Sequence, residues 1–343
     1  MTTSAKRLRG WAKWPKEKLL DERVCDLGLR IEGSPLEPRI KQLNQELESK
    51  NFVFRPHFWL SDEWYCPDDV PGVAIPFYLV HPKLRRLEKE FILEVEGGNK
   101  SWCMKLLRHE TAHALLNAYR LDKRPDWKKC FGNPGAPYPD SYLPKPYSKR
   151  YVRNLPHWYA QSHPHEDWAE TFSVWLKPKS GWRQRYRGWS ALKKLEYVDT
   201  LMSEIKQKKP GLRNKREMLP VNKIRTTLRK HYETKVKRYI SDNPEFFDHE
   251  LRWLFPEKNQ LKDIEKASHY IRRVRNEVND VVSRWTSEYR YRVNEVLDEM
   301  IQRCDRLKLS VVRSDEEMKP EIIACITMLV MHKLRSGGFH ISL

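Results

Sequence analysis

His109 and His113 stand four residues apart in the run His109-Glu110-Thr111-Ala112-His113. Residues at that spacing share one face of a helix, so both imidazoles can aim a ring nitrogen at the same ion. Zinc is the ion that this pattern suits. Glu110 lies about 100° around the helix from His109, within reach of a water at that ion, and is the candidate general base. Zinc lowers the pKa of its water to about 7, so a neighbouring carboxylate can take the proton at neutral pH.

Three fixed residues also arise by chance, and a catalytic zinc needs a third protein ligand with one position left open. The residues after His113, Ala114-Leu-Leu-Asn-Ala-Tyr-Arg120, contain no Gly-x-x-His, so the metzincin arrangement fails. The next acidic cluster with helical character is Pro164-His-Glu-Asp-Trp-Ala-Glu-Thr-Phe172. Glu166 and Glu170 are four apart and share a face. One can bind the ion while the other accepts the free N–H of a ligand histidine, which fixes the ring's tautomer. Glu166 is preferred as the ligand. Asp167 and His165 are rivals, but neither lies on the face that carries both glutamates. His157, His163 and His165 cluster nearby and read as loop and helix-start residues, with an accessory ligand or proton shuttle as the alternative.

His109-Glu-Thr-Ala-His113 together with Tyr159-Ala-Gln-Ser-His-Pro-His-Glu-Asp-Trp-Ala-Glu170 resembles a bacterial family of zinc-binding metallopeptidases. The likeness extends to Ser61-Asp-Glu-Trp-Tyr65 and the C-terminal helices. The N-terminal zinc ribbon of some relatives has no cysteine pattern here. The glutamate helix is also similar to that of the anthrax lethal factor peptidases, which carry Glu-x-x-Ala-Glu. Carried over by position, this resemblance implies a gluzincin-type site with Glu166 as zinc ligand and Glu170 behind a histidine. It also implies that Tyr159 is the donor facing the substrate carbonyl. A phenol there has a physical use, because attack on an amide makes an oxyanion that a hydroxyl stabilises. The 53 positions from His113 to Glu166 exceed the short connection of thermolysin-type enzymes, which puts the lid of the site in question.

Several elements must hold these residues. A helix is expected over about 101–121 and another from Pro164, a residue suited to a first helical turn, to just before Lys177-Pro178. Upstream, a helix is expected around 38–50. Strands are expected over Asn51–Leu60 and Gly72–Val80, where Pro76 argues for an edge or a bulge, and an edge can pair with an extended peptide. Residues 122–156, rich in Pro, Gly, Asn and Tyr, read as a long irregular loop of functional kind. Beyond about residue 190 the chain reads as helical. Apolar residues at gaps of three and four between Leu261 and Leu307 predict one long helix, or two end to end. Ile322 to Met331 reads as a buried helix, Ser314-Asp-Glu-Glu317 has the form of a capping box, and Gly337-Gly338 is expected to end that helix.

The fold class expected is α+β. A basic lead-in covers 1–35, a zincin-like catalytic domain with a small twisted sheet covers 36–205, and a mostly helical region covers 206–343. The chain carries 39% hydrophobic residues and 13 Trp, a globular composition with no apolar run long enough to span a membrane. The N-terminus lacks the apolar core of a signal peptide, and the six scattered cysteines read as free thiols, so a cytoplasmic protein is expected. Net charge is +19, and residues 177–230 hold 17 Lys/Arg against 4 Asp/Glu. That stretch is a solvated basic face or a contact for a polyanion or acidic partner. The expected cofactor is Zn2+, and the expected substrate is a peptide or protein. The alternative is a non-catalytic, zinc-stabilised module whose basic helical half binds nucleic acid or an acidic partner. A zinc amidase acting on another amide would use the same residues.

Overall fold

The computed structural model describes residues 10–92, 94–139, 142, 145, 147–156, 158–237, 248–255 and 265–335. The described residues form thirteen α-helices and one two-stranded parallel sheet, an α+β composition dominated by helix. In chain order these are α1 (Lys16–Leu20), α2 (Leu36–Ser49), β1 (His57–Ser61), β2 (Gly72–Pro76), α3 (Pro82–Ile92) and α4 (Lys100–Tyr119). There follow α5 (Pro125–Phe131), α6 (Pro164–Leu176), α7 (Trp182–Arg185), α8 (Ala191–Ile205) and α9 (Leu228–Lys237). The last four are α10 (Asp248–Leu254), α11 (Ala267–Thr286), α12 (Arg290–Leu307) and α13 (Asp315–Arg335). The chain divides into two compact units, Met1–Phe91 with Val95–Glu233, and Ile92–Glu94 with Thr234–Leu343. No described helix is long and apolar enough to cross a membrane. All six cysteines are free.

In the first unit, α4 is buried on nearly all sides, which suits its Leu- and Ala-rich sequence. Asn99 caps its N-terminus by accepting from the Trp102 N–H, and Arg120 ends it in the left-handed conformation. Helix α2 lies against α4 through a buried pair, in which Arg108 Nε and Nη2 donate to the two oxygens of Glu46 at 2.7 Å each. Such a bidentate pair offsets the cost of burying both charges. Helix α6 lies on the other side, where Trp168 Nε1 donates to the Ala112 carbonyl at 2.9 Å.

The strands are shorter than expected. Backbone pairing is confined to His57–Ser61 and Gly72–Pro76. Phe52 and Phe54 are buried as their alternation suggests, but their neighbourhood pairs elsewhere. The Phe52 N–H goes to the Leu47 carbonyl and the Val53 N–H to Lys206. Pro76, which has no N–H to give, is the last residue of β2, and Phe77–Val80 turns into a 3-10 helix. One side of β2 is engaged at Ala74, whose N–H donates to the Tyr65 carbonyl at 2.9 Å.

Two further expectations need correction. Residues 122–156 are not wholly irregular, because Pro125–Phe131 is helical, with Pro125 in its first turn and Asp126 bonding the Trp127 N–H. Residues 206–227 are not helical apart from the 3-10 turn Val221–Lys223. Pro210 and Gly211 break the pattern, and the segment satisfies its backbone elsewhere. The N–H groups of Gly211 and Leu212 bond the Ala118 carbonyl, and Thr226 and Ile224 accept from Val24 and Cys25.

In the second unit the apolar periodicity between Leu261 and Leu307 resolves into α11 and α12, which fold back on each other rather than run end to end. Ser268 bonds Asp305, Arg275 pairs with Asp298, and Asn279 Nδ2 donates to the Arg290 carbonyl. Ser287, at φ +60°, makes the reversal. Most of the stripe faces its own unit, where Ile271, Val274, Val278, Val296, Met300 and Ile326 share one core, but Trp285 on the same stripe is exposed. Helix α13 begins at the expected box, where the Ser314 N–H donates to Glu317 Oε2 at 3.1 Å, and Ile322 to Val330 supplies the buried face. Ile264 and the expected stop at Gly337-Gly338 lie outside the described residues.

Candidate metal centre

The site is the seam between α4 and α6. One helix must present His109 and His113 on successive turns, and the other must present Glu166 and Glu170 on successive turns. His163 starts α6 by accepting the His165 N–H on its ring at 3.2 Å, and Pro164 fills the first helical position. These two residues set the register that turns both glutamates toward α4.

Three donor atoms converge there. His109 Nε2 is 2.9 Å from Glu166 Oε2, and His113 Nε2 is 3.2 Å from His109 Nε2 and 3.3 Å from Glu166 Oε2. A tetrahedral zinc with ligands about 2.0–2.1 Å away has ligand atoms about 3.3 Å apart, so this triangle has the edge lengths of one face of such a site. Two imidazoles and a carboxylate are also the donor types that zinc takes. Among the described residues these three form the one group of this kind.

The surrounding polar groups orient the triangle. His109 Nδ1–H donates to Glu170 Oε1 at 3.0 Å, which leaves Nε2 facing Glu166 and His113. Glu170 is fully buried and saturated, since it also accepts from the Asn154 N–H, from Asn154 Nδ2 and from the Leu155 N–H at 2.7–3.0 Å. On the other oxygen of this carboxylate, the Tyr138 hydroxyl donates to Glu166 Oε1 at 3.0 Å. Asn117, one turn beyond His113, donates to the Pro67 and Val70 carbonyls and so ties the loop after β1 to the same face of α4.

The electrostatics follow from burying acids and imidazoles together. Burial disfavours the His109 imidazolium, but its bonds to Glu166 and Glu170 prevail and raise it well above the ordinary histidine value. Burial likewise opposes the Glu166 carboxylate, and the two histidines hold it well below its usual range. Glu110 moves the other way, raised by burial against the pull of His109 and His113. Burial and the adjacent Glu166 charge push the Tyr138 phenol far upward, so it stays a donor.

The structure brings His109, Glu110, His113, Glu166, Glu170 and Tyr159 to one place. Tyr159 sits in a 3-10 turn, its ring centroid 5.6 Å from that of His109. Trp158, at φ +49°, makes the turn that delivers it. The rival ligands point elsewhere. Asp167 forms an ion pair with Lys194, and burial lifts it to about 7. His165 lies beside Trp127 and is pushed down to about 4 by burial and neighbouring imidazoles. His163 caps α6 and donates to the Ala136 carbonyl. His157 lies outside the described residues. Tyr138, Asn117 and Asn154 were not expected. Asn117 had a signal, because it continues the 109–113 spacing by four; Tyr138 and Asn154 had none.

The fold and the seam define a helical α+β unit with a His-His-Glu site suited to zinc. A protein-family model described as "Putative zinc-binding metallo-peptidase" matches residues 104–182, the stretch that contains all three donor residues together with Glu110 and Glu170. No curated protein and no solved structure matches the chain.

Proposed function

We propose that this protein is a zinc-dependent metallohydrolase of the gluzincin type that cleaves amide bonds in peptides or proteins. The observation that carries the reading is the triangle of His109 Nε2, His113 Nε2 and Glu166 Oε2, with Glu110 adjacent on the same helix. The match of residues 104–182 to a zinc-binding peptidase family supports it.

Zinc held by these three atoms would act as a Lewis acid toward the scissile carbonyl and make water acidic enough to react near neutral pH. Glu110 takes the water proton and returns it to the leaving amine; its raised affinity for protons suits both steps. Tyr159 donates its hydroxyl to the developing oxyanion. Glu170 keeps the His109 Nδ1 protonated, so the ring meets the ion through Nε2.

The test is Glu110→Gln. The variant should keep one zinc per chain and lose peptide hydrolysis by a factor on the order of 10²–10⁴. Retained hydrolysis with zinc bound would refute this mechanism.

A further inference from the structure

The 131–164 connection reaches back to both glutamates of α6. Its later part grips Glu170 through Asn154 and Leu155. Its earlier part reaches Glu166 through one side chain, Tyr138. Three features place that ring. It stacks on His163 with centroids 3.8 Å apart and planes 18° from parallel. His163 in turn donates to the Ala136 carbonyl at 2.9 Å. The turn before it is closed by the Gly135 N–H on Asn133 Oδ1 and the Ala136 N–H on the Asn133 carbonyl. One edge of the ring stays in solvent while its hydroxyl reaches a buried carboxylate.

A glutamate can meet a metal ion through one oxygen or through both. With both, it raises the coordination number of the ion. In this site Oε2 faces the two histidine nitrogens, and Oε1 accepts from the phenol. Resting on the metal-centre reading above, we propose that Tyr138 is a positioning residue. Its hydroxyl holds Glu166 Oε1 and so would leave Glu166 Oε2 alone to meet an ion beside the two histidines. The phenol acts through Glu166 and not on the ion itself.

Tyr138→Phe removes the hydroxyl and keeps the ring on His163, and circular dichroism checks that the variant is folded. The full chain is loaded with Co2+ in place of zinc, and zinc affinity is measured by competition with a chromophoric chelator. Wild type should give the intense visible absorption of a four-coordinate cobalt site. Tyr138→Phe should give a weaker band, as the freed carboxylate turns both oxygens to the ion. Zinc affinity should also change by about tenfold, the scale found for partners that orient a ligand. An unchanged cobalt spectrum overturns the proposal whatever the affinity, since a merely structural role could alter affinity alone. A phenolate-to-metal charge-transfer band in the Cu2+-loaded wild type, lost in Tyr138→Phe, also overturns it, because Tyr138 would then be a ligand. Wild type that takes up neither zinc nor cobalt sinks the metal-centre reading and this proposal with it; metal uptake with identical spectra sinks only the second.

Discussion

The α4–α6 seam and the α11–α12 hairpin are both contacts between long helices, one in each unit, and they differ in how much charge they bury and against what. Along α11 and α12 the buried faces are Tyr270, Ile271, Val274, Val278, Val282, Val293, Leu297 and Met300, and charged pairs such as Arg275 with Asp298 stay toward solvent. Along α6 the buried residues include Glu166, Asp167, Glu170, Thr171 and Ser173, of which Glu166 meets both histidines of α4 and Glu170 meets His109. The hairpin also buries Asn279 against Asn294 and Arg292 beside Glu288, but most of what it removes from water is apolar. The seam buries groups that cost several kcal/mol each when unpaired. At the two glutamates that cost is offset by saturation: Glu170 has four donors and Glu166 has both oxygens engaged, while Thr171 and Ser173 bond the carbonyls four residues back. A seam of this kind is a poor way to gain stability and a good way to fix ligand geometry.

The contrast can be broken from either side. The largest effect on folding is expected in the hairpin. Ile271→Ala leaves a cavity in a fully buried core and should cost about 2–5 kcal/mol in chemical denaturation. Zinc affinity should stay at the wild-type value, and a parallel loss of zinc would show that the two regions are not separable in this way. A smaller effect is expected in the seam. Glu170→Gln offers one acceptor oxygen where four donors converge, so the His109 ring loses its anchor. Zinc affinity should fall by about 10–100-fold, measured by chelator competition. An unchanged affinity would mean that the buried acid serves folding alone.

Much of this contrast was legible in the sequence, and the parts that were not share a cause. Periodicity and local punctuation gave α4, α6 and the α13 box, because apolar spacing and residues such as Pro164 and Ser314 act within a turn or two; the Asn99 cap of α4 was not read. The same local reading found His109, Glu110, His113 and the glutamate pair. It overreached where a pattern had no partner: Phe52 and Phe54 alternate like a strand, but their backbone bonds go to Leu47 and Lys206. It missed α5 despite Pro125 and Asp126, because the Pro and Gly around them masked a helix of seven residues. It took 206–227 as helix although Pro210 and Pro220 interrupt it. Tyr138 and Asn154 lie outside what spacing can reach, since they meet α6 only through the path of a long connection.

We propose that His109, His113 and Glu166 together hold a single metal ion. The direct measurement is zinc content per chain after dialysis against metal-free buffer, for wild type and for Glu166→Ala, with helix content checked in both. One zinc per wild-type chain is expected and essentially none in the variant, whose remaining histidines offer two of the three protein ligands. Full zinc retention by a folded Glu166→Ala chain would contradict it.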